Sequence, residues 1–338
     1  MRLPLKMLLA VSLLGIVATG GMLVRTFYDI TQHTVDTNVR TDAAELHFSV
    51  ILPADSDVFF SELRAGGIAE ALRHNAAVEF FTYDSFGVDA AGLLRQVEWI
   101  NTDGVLVYLP EQNSHTGEIR RLVNASIPVV TLVNDNPLSG RTAHIGFDAE
   151  GIAREQVRLM LEGVLSRDAR LQPQRWGVMV AGDGSGYGAW QGDRMESVIR
   201  NLLAPYSAIE IVEVRTVGSG YFSGEQESAR LIQEYPGITG MIVAAPRTLS
   251  GVVQTLIDQN RLGSIDVVGI DTGTDIEQAV MRGLLHGTIF RHPETVGKTG
   301  IRVLMEAAQS TLEVEYHDLG YTAVDSDTIV RVLGAGRQ

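Results

Sequence analysis

From Leu46 onward the chain alternates short apolar runs with longer amphipathic stretches. The runs His47–Leu52, Val78–Tyr83, Gly104–Leu109 and Pro128–Val133, with a short one at Ala143–Gly146, read as strands. Apolar runs alternating with helical stretches in this way are the signature of βαβ units and a parallel sheet. Helical spacing fills the gaps near Phe59–Asn75, Ala90–Asn101 and Gly117–Ala125. The series then begins again, with strands at Trp176–Ala181, Glu210–Arg215, Gly240–Ala244 and Asp266–Ile270 and helices near Gln191–Leu203, Gly224–Glu234 and Leu249–Asn260. Glu150–Arg167 is a long helix between the two sets, and Asp168–Gln174 is a polar turn. Two βα series separated by one passage predict an α/β protein of two doubly wound parallel-sheet lobes.

The segment Ile265–Pro293 condenses this pattern. Val267-Val268-Gly269-Ile270 stops at Asp271, a loop follows, and Ile276, Ala279, Val280 and Leu284 line one face of a helix. A second short strand, Thr288-Ile289-Phe290, ends at Arg291, so a carboxylate and a guanidinium arrive at the strand ends where open α/β sheets hold ligands.

The N-terminus follows a different rule. Arg2 and Lys6 precede an apolar stretch, Met7–Val24, softened by Ser12, Gly15, Thr19, Gly20 and Gly21. A positive flank, an apolar core and small residues make an export signal. The stretch is also just long enough, at about 18 residues, to stay as a membrane anchor. Residues 1–25 are therefore a signal peptide or an anchor, and Thr26–Glu45 is a polar tether. In either case the body works in the periplasm or on the outer face of the cell membrane.

Composition narrows the function. A formal charge of −14 with no basic stripe argues against nucleic acid or an anionic membrane surface as partner. The absence of cysteine excludes disulfides, thiolate metal sites and a cysteine nucleophile. The eight histidines lack metal-ligand spacing, and no GxSxG elbow occurs. Gly184-Ser185-Gly186-Tyr187-Gly188-Ala189 fits a GxGxxA phosphate loop. That leaves a dinucleotide-dependent enzyme as a remote alternative, but nothing else calls for a cofactor or an enzyme.

Several motifs in order resemble the periplasmic sugar-binding proteins of the ribose-binding type: DVFF at Asp57–Phe60, IPVVTL at Ile127–Leu132, the WQGDR helix start at Trp190–Arg194, VVGID at Val267–Asp271 and GTIFRHPETVG at Gly287–Gly297. The resemblance spans roughly Leu46 to Asp325. It implies three chain crossings between the lobes, near Phe147-Asp148, near Arg291-His292 and around Tyr316–Thr322, which together make a hinge. Lobe 1 would then hold residues 46–147 and about 292–316, and lobe 2 residues 148–291 and about 317–333.

The resemblance also implies ligand contacts. Asp57 stands where the family has an Asn or sometimes an Asp, followed by the matching Phe59 and Phe60; read locally, Asp57 also suits a helix cap. Val133 occupies the place of the family's Asp, leaving Asn134 or Asp135 as the polar contact. Trp190 and Gln191 fall where the family has basic residues, and Tyr221 or Phe222 supplies a ligand-facing aromatic. Pro246 and Arg247 replace an Asn and an Asp. Asp271 matches the family Asp, its local alternative being a cap for the helix from Asp275. Arg291 stands where Gln is common. The two arginines would bond hydroxyls or select a carboxylate or phosphate. The expected role is capture of a small molecule, a sugar by resemblance, by a monomer that closes on it and presents it to an ABC transporter permease. The alternative is an anchored sensor presenting its closed form to a receptor kinase. Lac-repressor-type transcription factors share this body, but they carry a helix-turn-helix where this chain has an export segment.

Overall fold

The structure, a computed structural model, describes residues 44–54, 58–83, 88–167, 173–182, 189–218, 220–271, 273–309 and 315–335. In the first lobe β1 (Leu46–Pro53), α1 (Val58–Arg73), β2 (Ala76–Tyr83), α2 (Ala90–Gln96), β3 (Gly104–Tyr108), α3 (Thr116–Asn124), β4 (Val129–Leu132) and β5 (Ala143–Gly146) follow in turn. The second lobe comprises α4 (Ala149–Arg167), β6 (Gln174–Ala181), α5 (Ala189–Leu203), β7 (Ile209–Val217), α6 (Tyr221–Glu234), β8 (Gly240–Val243), α7 (Leu249–Asp258), β9 (Asp266–Gly269), α8 (Thr274–Met281) and β10 (Gly287–Phe290). The chain ends with α9 (Pro293–Gln309), β11 (Glu315–Asp318), β12 (Thr322–Val324) and α10 (Ile329–Ala335).

Two six-stranded sheets result, ordered β11-β5-β4-β3-β1-β2 and β12-β10-β9-β8-β6-β7. The first is parallel throughout. The second is parallel except for β12, which runs antiparallel to β10. The apolar runs behave as their pattern dictates: every residue of β3, β4, β5, β8, β9 and β10 is buried, because helices cover both faces. The edge strand β7 carries intermediate and exposed positions. Strand order reverses between β1 and β3 in one lobe and between β6 and β8 in the other, and the loops leaving those strands define the edge where ligands bind.

The chain passes between the lobes three times. It leaves β5 through Phe147-Asp148 to α4, leaves β10 through Arg291-His292 to α9, and leaves β11 through Leu319–Tyr321 to β12. The second crossing is secured by α9 lying on α1 and on the faces of β3, β4 and β5. This contact is close enough to need glycine. A Cβ on Gly66 of α1 would sit 2.1 Å from the Glu294 carbonyl oxygen, and one on Gly297 of α9 would sit 1.9 Å from the Leu63 carbonyl oxygen. Backbone meets backbone on both sides, and neither obstacle can rotate away.

Gly297→Val should therefore destabilise the full-length protein by about 1–3 kcal/mol through overpacking. Gly117→Ala on α3, where a Cβ meets nothing within 4 Å, should leave stability unchanged or raise it by up to ~1 kcal/mol. Denaturant melts of the two variants against the parent check the contrast.

Candidate functional site

The strand ends of the two lobes face each other, and the contacts between them start from two strained turns. Val133, just beyond β4, has φ +62°, and Arg247, beyond β8, has φ +68°. A left-handed backbone is a genuine outlier for β-branched Val and uncommon for Arg. The turn after β4 leaves the Val133 carbonyl accepting a bond from Gln191 Nε2, on the first turn of α5 in the opposite lobe, at 3.1 Å. The turn at Arg247 is held by Asp271, whose Oδ1 accepts the Arg247 backbone N–H at 3.1 Å. Asp271 Oδ2 accepts the Leu249 N–H at 3.3 Å, capping α7 from across the loop. The Asp271 backbone is itself fixed, its N–H and carbonyl both bonded to Thr288 Oγ1. Asp271 thus serves the preceding helix α7; α8 begins after Gly273 with no side-chain cap.

Both arginines lie over aromatic rings. The Arg291 guanidinium is 4.7 Å from the Phe59 ring centre and 5.8 Å from that of Phe147, and the Arg247 guanidinium is 5.7 Å from that of Phe60. Phe59 and Phe60 meet edge to face at 5.3 Å, and both are buried. The pair Arg247–Phe60 joins lobe 2 to lobe 1, a contact worth roughly 0.5–2 kcal/mol depending on desolvation.

Other expected contacts are placed differently. Asn134 is 0% exposed, and its Nδ2 donates to the Leu109 carbonyl inside lobe 1 at 2.9 Å, so its side chain is part of the lobe's interior. Asp135 takes a two-pronged bond from Arg141, through Nε and through Nη2 at 2.6 Å, and accepts from Thr131 Oγ1 at 3.2 Å. Tyr221 and Phe222 stand on the first turn of α6; Phe222 is 80% exposed and Tyr221 40%, and neither lines a cavity described below. Asp57 and the GxGxxA loop through Gly188 lie outside the described residues, as does the side chain of Trp190.

Among the described residues, two neighbouring cavities lie between the lobes. The central one, of about 20 Å³, is walled mainly by apolar groups, among them Ile152, Met195, Pro246 and Ile270, with Arg291 at its edge. The other, of about 760 Å³, opens toward β4, β5 and β11 and is flanked by the crossings at Phe147-Asp148 and beyond Asp318. Val133, Phe147, Ala149 and Gln191 line both. Gln112, Asp135, His144 and Tyr316 face the larger cavity from lobe 1, and Glu150 and Arg194 from lobe 2. Gln112, His144, Tyr316 and Asp318 line this cavity without standing out in the sequence. Their local signals are a lone histidine in a buried strand and an aromatic in the run Glu315-Tyr316-His317-Asp318 just ahead of the third crossing.

The larger cavity has a distinct electrostatic character. Burial opposes ionisation of Asp135, but the Arg141 fork and the nearby His144 outweigh it and hold the carboxyl below its usual range. Burial pushes the His144 imidazole down to about 4, Asp135 only partly compensating, so the ring is neutral near pH 7. Burial, together with Asp318, Asp148 and Asp135, pushes the Tyr316 phenol up to about 12. Among the described residues no group of His, Asp or Glu is arranged to hold a metal.

Asp271→Ala should lower the stability of the ligand-free protein by about 1–2 kcal/mol, since the cap of α7 is lost. Asp271→Asn, which keeps an acceptor, should restore most of it; equal melts for all three forms would contradict the capping role. The His144 effect has a defined sign. Its folded pKa near 4 lies below the unfolded value near 6.5, so its contribution is complete above that unfolded value. It is lost as pH falls toward the folded one, with a ceiling on the order of 3 kcal/mol. His115 and His292 are also lowered by burial and act in the same direction. Melts between pH 7 and 5 should therefore decline less steeply in His144→Gln than in the parent.

Comparison with known proteins agrees with this architecture. Residues 48–311 match the family described as periplasmic binding protein domain. No curated protein sequence matches the chain. Among solved structures, an ABC transporter solute-binding protein of Burkholderia graminis C4D1M in complex with D-arabinose is similar at TM-score 0.75 and 19% identity, over 86% of this chain and 98% of that one. A periplasmic solute-binding protein of Actinobacillus succinogenes 130z with bound D-allose gives TM-score 0.73 and 15% identity over 85% and 100%. A periplasmic ribose ABC transporter protein of Conexibacter woesei DSM 14684 gives 0.70 and 16% over 86% and 95%. Identities this low speak for the fold alone. No helix among the described residues is long and apolar enough to cross a membrane. The family match, unlike the structural likenesses, covers well over half the sequence, and on it the chain belongs to the periplasmic binding protein domain family, whose members bind solutes rather than catalyse reactions.

Proposed function

We propose that this protein is an extracytoplasmic receptor that captures a sugar or sugar-like molecule between its lobes, closes on it, and delivers it to an ABC transporter permease. The observation that carries the reading is the cavity of about 760 Å³, walled by both lobes and flanked by hinge crossings. A solute there touches both lobes only when they are closed, so binding favours closure. The chemistry of the wall suits polyols: planar amides and carboxylates bond neighbouring hydroxyls, and an aromatic ring covers the C–H face. The D-arabinose and D-allose held by the Burkholderia and Actinobacillus proteins support the same ligand class. Gln191 lines both cavities and bridges the lobes through the Val133 carbonyl, a bond that opening would break.

The second reading, a membrane-held sensor for a receptor kinase, rests on the apolar stretch Met7–Val24. The mass of the mature chain separates the two. A product beginning after the small residues Ala18-Thr19-Gly20 favours the transport receptor, and an intact N-terminus favours the anchored sensor.

A thermal-shift screen of the full-length protein against pentoses, hexoses, sugar acids, sugar phosphates and NAD tests the main reading. A ligand at 100 times its Kd adds about 2.7 kcal/mol, a shift of several degrees for a protein of this size. Stabilisation by a sugar is the expected result, and stabilisation by NAD alone would overturn the reading.

A further inference from the structure

The place where a ligand sits follows from what already occupies the central part of the cleft. There the faces of Phe59 and Phe60 carry the guanidiniums of Arg291 and Arg247, and Val133 and Pro246 present apolar groups. The cavity that the described residues line there, about 20 Å³, is room for roughly one water molecule. The neighbouring cavity of about 760 Å³ falls within the ~300–1,000 Å³ range of small-molecule sites.

That cavity also holds an aromatic platform. Tyr316 is 52% exposed and lines it, while His144 stacks behind the ring at 5.6 Å and 30°. Thr131 Oγ1 fixes the histidine through Nδ1 at 2.9 Å, so the platform is braced from the interior of the sheet. Around it stand the amides of Gln112 and Asn113 and the carboxylates of Asp148 and Asp318, with Gln191 closing the opposite side. Carboxylates outweigh cations on this wall. Arg194 is paired with Glu150 at 2.8 Å, and the fork of Arg141 behind the wall is given to Asp135.

We propose that the ligand seat is displaced from the Phe59–Phe60 pair to this flanking cavity, where Tyr316 is the stacking platform and an uncharged or amino-bearing saccharide, up to two rings in size, is the ligand. The seat rests on the sugar-receptor reading above and refines it. It assigns Arg247 and Arg291 to lobe closure rather than ligand recognition, and it disfavours acidic and phosphorylated sugars, which the carboxylates repel.

Isothermal titration of the full-length protein tests this, with D-ribose, D-arabinose, D-galactose, D-glucosamine, lactose, cellobiose and D-galacturonate as probes. For every sugar that binds, Tyr316→Ala should weaken affinity by about tenfold or more, the loss of one stacked ring contact, whereas Phe60→Leu, acting only through the Arg247 contact that favours closure, should weaken every sugar by one common factor. Asp148→Asn, at an exposed position and so safe for folding, should weaken D-glucosamine more than D-galactose. A Phe60→Leu loss that differs from sugar to sugar, with Tyr316→Ala leaving affinity unchanged, overturns the displaced seat while leaving the receptor reading intact. D-Galacturonate binding more tightly than D-galactose overturns the ligand class. If no probe binds, the receptor reading fails and the seat fails with it.

Discussion

The backbone-to-backbone contact between α1 and α9 is the constraint on which the rest of the molecule depends. Gly66 and Gly297 let the two helices approach until Cβ atoms would overlap carbonyl oxygens on the opposite helix. That approach fixes α9 on the first lobe although its preceding strand, β10, belongs to the second. Once α9 is held there, β11 can complete the first sheet beside β5, and the chain must cross again to reach β12. Two of the three crossings therefore follow from one helix pair. A hinge of several crossings restricts the lobes to opening and closing, where a single linker would let them tumble.

Given that hinge, the meeting surface is set by a few residues whose backbone is costly to hold. Val133, Arg247 and His292 all have positive φ, and all lie where a strand run ends at the lobe boundary or a crossing. Strain of this kind persists only when surrounding contacts over-determine it. Those contacts are visible: Asp271 holds the Arg247 turn, the Val133 amide donates to the Ile145 carbonyl at 2.8 Å, and His292 Nε2 meets Thr322 Oγ1 at 2.7 Å. The result is a closed arrangement in which the protein's own groups reach across the gap, Gln191 to the Val133 carbonyl and Arg247 to the Phe60 ring.

The division of the gap into an apolar centre and a polar flank then has a physical logic. Guanidiniums are weakly hydrated and lie well against aromatic faces, so two arginines can be tolerated in a tight centre that a hydrated ammonium would resist. The flank carries carboxylates whose charge survives burial only because donors meet it, as Arg141 does for Asp135. The neutral His144 behind Tyr316 adds rigidity without adding charge.

The sequence by itself determined the alternation of strands and helices, the division into two βα series and the placement of polar residues at strand ends. These follow from local periodicity, because burial on both faces of a parallel sheet favours apolar runs such as Val105–Tyr108. The fold class and the family were legible for that reason, with motif order adding to the pattern. The roles of individual polar residues were not. Asn134 and Asp135 are adjacent in the chain, yet one bonds Leu109 inside the lobe and the other takes the Arg141 fork at a cavity wall. Asp271 reads as a ligand contact or a cap for the helix that follows, whereas its carboxylate caps the helix that precedes it. Tyr316 gained its position only when β11 joined β5 and set its ring against His144, a residue far earlier in the chain. Such pairings depend on which distant segments pack together, and local propensity carries no record of that choice.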